Sequence, residues 1–406
     1  MRMSTPRPRG SRALEALHFS VADVQDGLGP FLSVFLQSKG WSVAAIGTVM
    51  SVGGIAGMLA TTPAGALVDT TRRKRAVVVV GCLAILLATA LIWLRPSSSG
   101  VVAAQIVSAL AAAGIGPALT GITLGLVHAR GFDHQLARNQ VANHAGNMLA
   151  ALLAGWLGWR YGFAAIFVLT AAFGVLAIVA VWLIPSAAID HRAARGLGNT
   201  EGADTLSGWR VLLTCRPLAL LAVTLGLFHL GNAAMLPLYG MAIVAAHAGD
   251  PSALTATTIV VAQATMVVAL LAMRWIRVHG HWWVLLVAFM ALPLRALVAA
   301  SLIQGWGVFP VQMLDGLGAG LQAVVVPALV ARLLQGTGRV NVGQGAVMTV
   351  QGVGAALSPA FGGWLAHAFG YRIAFLALGA IALLAVALWA GCRGMLRAAI
   401  DVQAVQ

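Results

Sequence analysis

Apolar runs of membrane length recur along the whole chain, separated by short polar or basic breaks. Stretches of about 18 or more mostly apolar residues mark membrane-crossing helices. Here they begin near Leu17, Trp41, Ala76, Val101, Leu136 and Phe163, and again near Leu218, Leu254, Trp282, Val308, Val342 and Ile373. The pattern predicts an all-α membrane protein with twelve transmembrane helices, numbered here as spans 1 to 12. The longest polar stretch lies between Pro185 and Pro217 and contains Asp190, His191, Arg192, Arg195, Asn199, Glu201 and Asp204. It divides the chain into two six-helix bundles, 1–184 and 217–406, joined by a cytoplasmic linker at 185–216. Glycines at close intervals, such as Gly53 and Gly57, let membrane helices approach closely.

The two halves resemble each other. A shift of 208 residues lays span 5 on span 11 and pairs Gly146 with Gly354, Gly155 with Gly363, Trp156 with Trp364 and Gly162 with Gly370. A shift of 207 pairs Gln25 with Asn232, Pro30 with Pro237 and Gln105 with Gln312. Six helices per half bring both halves into the membrane from the same side, so the repeats are parallel and related by a pseudo-two-fold axis. Such repeats rock about a central site near the midplane.

Composition removes the soluble alternative. The chain is 60% hydrophobic and 9% charged, with a mean hydropathy of +0.90. Its net charge of +14 would suit a polyanionic partner, but the distribution argues otherwise. Of the 25 Lys and Arg, twenty fall on one side of the twelve spans. Four (Lys39, Arg95, Arg160 and Arg372) fall on the other, and Arg295 lies within a span. That asymmetry follows the positive-inside rule and places both termini in the cytoplasm. The basic charge therefore reports topology, and no nucleic-acid partner is expected. No small-residue cleavage site follows the basic segment Met1 to Arg12, so no removable signal peptide is expected. Cys82, Cys215 and Cys392 are too scattered for a metal motif or a disulfide framework.

Polar residues inside the spans carry the candidate chemistry. Asp23 and Asp26 sit three residues apart in span 1, on one helix face. A carboxylate in hydrocarbon is costly and normally faces protein or water. Repulsion and burial both penalise the doubly charged state, so the pair is suited to carrying a proton. The plainer role is capping a helix break made by Gly27, Gly29 and Pro30. Span 5 carries Gln140, Asn143, His144 and Asn147 at helical spacing, a polar stripe on an apolar helix. Gln344, Gln351 and Ser358 mark one face of span 11. His229 and Asn232 in span 7, Gln25 in span 1, Gln105 in span 4 and Gln312 in span 10 complete the set. These side chains either line a wet cavity and bind solute or hold helices together. Arg295 follows Pro293 in span 9. It serves an anionic solute or pairs with Asp315 in span 10, and an unpaired buried charge is costly enough to favour the pair. No metal or cofactor site is expected. No phosphate-binding G-x-x-x-x-G-K-[ST] loop occurs, which argues against ATP as the direct driver.

After span 2 comes the segment GALVDTTRRKR, from Gly65 to Arg75. It resembles the cytoplasmic loop signature of the major facilitator superfamily, with Gly65, Leu67, Asp69, Arg73 and Lys74 on matching positions. Thr70 and Arg72 depart from it, where a basic residue and a glycine are usual. The resemblance implies that fold for the whole chain. It also implies a gate in which Asp69 docks near the cytoplasmic start of span 11 while Arg73 and Lys74 bridge to neighbouring helices. As a charge cluster alone, Arg72 to Arg75 would serve topology. Proton-coupled drug antiporters of the superfamily usually carry an arginine in span 4, where this chain has Gln105. Their Gly/Pro pattern is expected in span 5 and stands here in span 11, as Gly354, Ser358, Pro359, Gly362 and Gly363.

The sequence is identified as a bacterial member of a poorly characterised subgroup. The resemblance implies no enzymatic activity and a multi-pass monomer in the inner membrane. Transport would proceed by alternating access, coupled to protons through Asp23, Asp26 and Asp315. Export by antiport is the first expectation and import of an organic anion or nutrient by symport the second. A transport-inactive membrane sensor is the alternative of another class. An enzyme would need a nucleophile with a base, or a metal site, and no such constellation is visible.

Overall fold

The computed structural model describes residues 10–25, 28–191, 193–195, 215–270, 273–334 and 340–395. Nearly all of them are helical, and no β-strand occurs among them. The helices are α1 (Ser11–Gln25), α2 (Gly29–Ser38), α3 (Val43–Thr70), α4 (Lys74–Leu94), α5 (Ser98–Tyr161) and α6 (Phe163–Trp182). After two short 3-10 turns come α7 (Arg216–Asn232), α8 (Met235–Ala245), α9 (Pro251–Leu270), α10 (Met273–Ser301), α11 (Val308–Leu333), α12 (Val340–Phe369) and α13 (Tyr371–Gly391).

These helices make twelve passes. The pairs α1/α2 and α7/α8 each form one broken pass. α5 forms two, because His128 (φ 53°, ψ 178°) interrupts its helical backbone. Eight passes among the described residues are long and apolar enough to cross a membrane on those grounds alone. The others are α1/α2, the second arm of α5, α9 and α12, which are interrupted, shorter or striped with polar residues.

The two broken passes share a cause. Pro237 has no N–H to offer the Ala233 carbonyl, so the helix parts between α7 and α8. The amide of Ala234 freed there donates to Ser358 Oγ of α12 at 2.8 Å, as a membrane interior requires. Pro30 occupies the equivalent place at the start of α2, beside Gly29, whose φ of +47° suits a residue without a Cβ.

Packing repeats as well. A Cβ on Gly146 of α5 would run into the backbone of Phe19 in α1. One on Gly354 of α12 would run into Gly226 in α7. Phe19 and Gly226 are themselves 207 residues apart, so both units use the same close crossing. Gly162 and Gly370, at the α5/α6 and α12/α13 joints, take φ of +77° and +83°. Only glycine adopts that backbone readily.

Two compact units result. One comprises Met1–Leu32 and Ala56–Ala203; the other comprises Ser33–Ile55 and Asp204–Gln406. In the first, Leu14, Leu17, Ile85, Ile122, Phe173 and Ala177 form part of one buried cluster joining α1, α4, α5 and α6. In the second, most of α2 and the start of α3 pack on α8, α12 and α13. Gln37 donates to Met241 O at 3.1 Å and Tyr371 Oη at 3.3 Å, and Ser51 Oγ accepts from Ala360 N at 2.8 Å.

Candidate functional site

A buried polar centre lies in the second unit and is built on three passes. Arg295 follows Pro293 in α10 and is only 1% exposed. Its Nη1 donates to Asp315 Oδ1 at 2.7 Å and to Asn232 Oδ1 at 2.6 Å. Its Nη2 donates to Gln312 Oε1 at 3.2 Å. Asn232 closes the ring by donating to Asp315 Oδ1 at 3.3 Å. Gln312 and Asp315, three apart on α11, present one face to the arginine. Asp315 is the wetter partner, with 17% of its side chain exposed against 1% for Arg295. The pairing expected from sequence is present, and it draws in Asn232 and Gln312. His229, one turn before Asn232, hydrogen-bonds the Leu225 carbonyl at 2.9 Å and lies within electrostatic reach of Asp315. Gln351 of α12 is half-buried.

The first unit has a second polar network, which sequence reasoning missed. Glu15 of α1 pairs with Arg138 of α5 at 2.8 Å and accepts from Gln135 Nε2 at 3.2 Å. Gln135 also donates to Asn139 Oδ1 at 2.9 Å, and Asn139 to Thr123 Oγ1 at 3.1 Å. The network thus ties the two arms of α5 to α1 across the His128 kink. Gln135, Asn139, Asn143 and Asn147 recur every four residues, so the polar stripe starts one turn earlier than expected from Gln140. That i, i+4 recurrence was the available signal; Arg138, one of the twenty basic residues on one side of the spans, reads as loop charge from sequence. Within the stripe, Asn143 donates to the His18 carbonyl at 3.5 Å and so bonds α5 to α1, while Gln140 is exposed. His144, Asn147, Gln25 and Gln105 are half-buried. A cavity of about 400 Å³ lies against the ion pair, lined by Glu15, His134, Arg138 and neighbouring small residues.

Comparison with known proteins places this architecture. The family model for the major facilitator superfamily matches residues 16–311. Two curated relatives, both called uncharacterised MFS-type transporters, come from two strains of Mycobacterium tuberculosis. Each is 39% identical over 379 residues, covering 92% of this chain and 91% of the relative. The chain belongs to the major facilitator superfamily. Among solved structures, the nucleoside transporter NupG superposes with a TM-score of 0.78 at 13% identity, over 94% of this chain and 98% of that one. A bacterial homologue of the human lysosomal transporter Spinster gives 0.75 at 14%, over 98% and 99%. The superfamily member is thus a multi-pass membrane transporter of small molecules, not an enzyme.

The loop signature of this transporter is partly described. The side chain of Asp69 and the whole of Asp26 lie outside the described residues. Lys74 is buried, at 1% exposure, and its Nζ donates to the carbonyls of Val68 at 2.5 Å and Thr71 at 3.4 Å. A cation at the carbonyl end of α3 satisfies free backbone acceptors and complements the helix dipole. Arg73 is exposed, and its amide donates to Thr71 Oγ1 at 3.1 Å. Gly65 is half-buried within α3. Asp23 is half-buried near the end of α1, and its Oδ2 is shielded from solvent.

Proposed function

We propose that this transporter couples solute movement to protons through alternating access in a bacterial inner membrane, with both termini cytoplasmic. The observation that carries the reading is the Arg295–Asp315 ion pair buried among Asn232 and Gln312. A buried ion pair is stable only while both charges persist, so adding a proton or exchanging a partner changes its balance sharply. Asp315 would take a proton only when Arg295 is drawn away from it, and it stands as a proposed carrier after Asp23 and Asp26 in the first pass.

The first reading is export of a hydrogen-bonding solute by proton antiport. A neutral solute that donates to the ionised Asp315 competes with the proton for the same carboxylate, and competition at one site is the basis of antiport. The Gly354–Ser358–Pro359 pattern of α12 agrees with that reading by its resemblance to antiporters. The second reading is proton symport of an organic anion, supported by Arg295 itself. An anion that takes over the guanidinium leaves Asp315 free to bind a proton, so the two would travel together. Gln25, Gln105, Gln140, Asn143, His144, Asn147, His229 and Gln351 supply further solute contacts in either reading. Gly65, Asp69, Arg73 and Lys74 serve the gate.

Proteoliposomes loaded with a pH dye separate the readings. Solute entering down its gradient acidifies the lumen in symport and alkalinises it in antiport, whichever way the protein is inserted. Solute flux without any pH change would remove proton coupling, and binding without flux would identify a sensor.

A further inference from the structure

A second cavity, of about 330 Å³, opens in the first unit where α4 begins and α6 ends. Its lining includes Arg72, Arg73, Arg75 and His191, together with Val80 and Trp182. Lys74 also borders it, but its ammonium is held by the α3 carbonyls. Among the described lining residues there is no carboxylate. The guanidinium carbon of Arg75 stands over Trp182, 5.4 Å from the ring centroid, and its Nη2 donates to the Trp182 carbonyl at 3.3 Å. Its Nε is shielded from solvent and has no hydrogen-bond partner among the described residues, and the same holds for His191 Nδ1. A buried donor such as the Arg75 Nε–H ordinarily finds an acceptor.

The apolar side of the cavity opens outward. Val80 is 64% exposed and Trp182 is 68% exposed, on helices that cross the membrane. Tryptophan at a helix end marks the headgroup level of a bilayer. The site thus joins cations at headgroup depth to a lipid-facing apolar wall, on the surface that the positive-inside rule assigns to the cytoplasm.

The second unit supplies an internal control. A shift of 207 residues sets Trp282 in the place of Arg75, and Trp389 stands one residue before the position that the Gly162/Gly370 register gives to Trp182. There the two aromatic residues are buried, and Trp389 Nε1 donates to the Trp282 carbonyl at 3.2 Å. The equivalent place is therefore filled by aromatic packing, while the first unit keeps an open cationic groove.

We propose that the groove formed by Arg72, Arg73, Arg75, His191 and Trp182 is a binding site for the phosphate headgroup of an anionic glycerophospholipid. One acyl chain would run over Val80. The arginines supply charge and forked donors for the phosphate, and Trp182 anchors the glycerol level.

Native mass spectrometry of the full-length protein in detergent, titrated with dioleoyl phosphatidylglycerol, tests this directly. Replacing each arginine removes one near-surface charge contact, equivalent to about a fivefold loss of affinity. The pair Arg72→Gln/Arg75→Gln should therefore weaken the tightest phosphatidylglycerol binding about 25-fold. Phosphatidylcholine binding should not change, and Arg393→Gln in the second unit should leave the tightest phosphatidylglycerol site intact. Glycerol 3-phosphate in excess should fail to displace the lipid, because it lacks the acyl chain. Full displacement by it would mean a soluble organophosphate site and overturn the proposal. So would unchanged phosphatidylglycerol affinity in the double variant, or phosphatidylcholine binding as tightly as phosphatidylglycerol. If the double variant aggregates, Arg75→Lys keeps the charge and should retain most binding, while His191→Gln should lose part of it; the opposite order would also overturn the site.

Discussion

Nη1 of Arg295 lies 2.7 Å from Oδ1 of Asp315, with the arginine 1% exposed and the aspartate 17% exposed. Breaking such a pair from one side leaves a buried charge uncompensated, at about 3–5 kcal/mol. Replacing both partners by apolar groups of similar size is often neutral. Asp315→Asn and Arg295→Met should each lower the melting temperature in detergent sharply. The double variant Arg295→Met/Asp315→Leu should recover most of that loss while remaining inactive in solute flux. Additive losses in the double variant would show that the two side chains do not act as a pair.

The Glu15–Arg138 pair offers a contrast within the same chain. Its partners are 21% and 28% exposed, so water and salt reach them. Exposed pairs contribute about 0–1 kcal/mol, and a double-mutant cycle on Glu15→Gln and Arg138→Gln should return a coupling in that range, falling as salt rises. A coupling as large as that expected for Arg295 and Asp315 would mean the pair is far drier than its exposure indicates.

Close helix crossing gives a third expectation. Gly146 and Gly354 leave no room for a side chain, since a Cβ on either would meet the backbone of the facing helix. Rigid backbone does not yield as a flexible side chain does, so Gly146→Val and Gly354→Val should each cost about 1–3 kcal/mol or more. Gly345, on the same helix as Gly354, faces open space. Gly345→Ala should be neutral or stabilising by up to about 1 kcal/mol through helix propensity. Thermal unfolding of the three variants side by side decides it; equal behaviour would remove the crossing as the cause.

Much of this architecture was legible in the sequence because membrane length and repeat are written at the scale of whole helices. Gly27, Gly29 and Pro30 marked a candidate break in the first pass, and the repeat registers paired Pro30 with Pro237 and Gly146 with Gly354. That the second pass breaks and that the glycines form close crossings came from the structure. The Arg295–Asp315 pair followed from the energetic penalty of a lone buried charge. What escaped was local. Glu15 precedes the first apolar run, and Gln135 and Arg138 lie at the polar entry of span 5, where charge reads as loop. Only the three-dimensional return of α5 beside α1, after the His128 kink, shows that these residues meet. The role of Lys74 was hidden for a similar reason: a basic cluster gives no sign that one of its members folds back onto the preceding helix.

Three carboxylates compete for the role of proton carrier, and their positions separate them experimentally. Asp23 and Asp26 stand in the first pass, and Asp315 in the second unit is tied to Arg295. Asn keeps the size of each and resembles the protonated acid, but cannot exchange a proton. A carrier's Asn variant should therefore still exchange solute across a membrane with equal pH on both sides, yet lose accumulation driven by a pH gradient. A residue that only caps a helix break or holds solute should lower both measures together. We expect Asp315→Asn to show the uncoupled pattern, and at least one of Asp23→Asn and Asp26→Asn to share it. Measuring counterflow and gradient-driven uptake on the same vesicles distinguishes the cases. Intact gradient-driven accumulation in all three variants would mean that the proton is not the coupling ion.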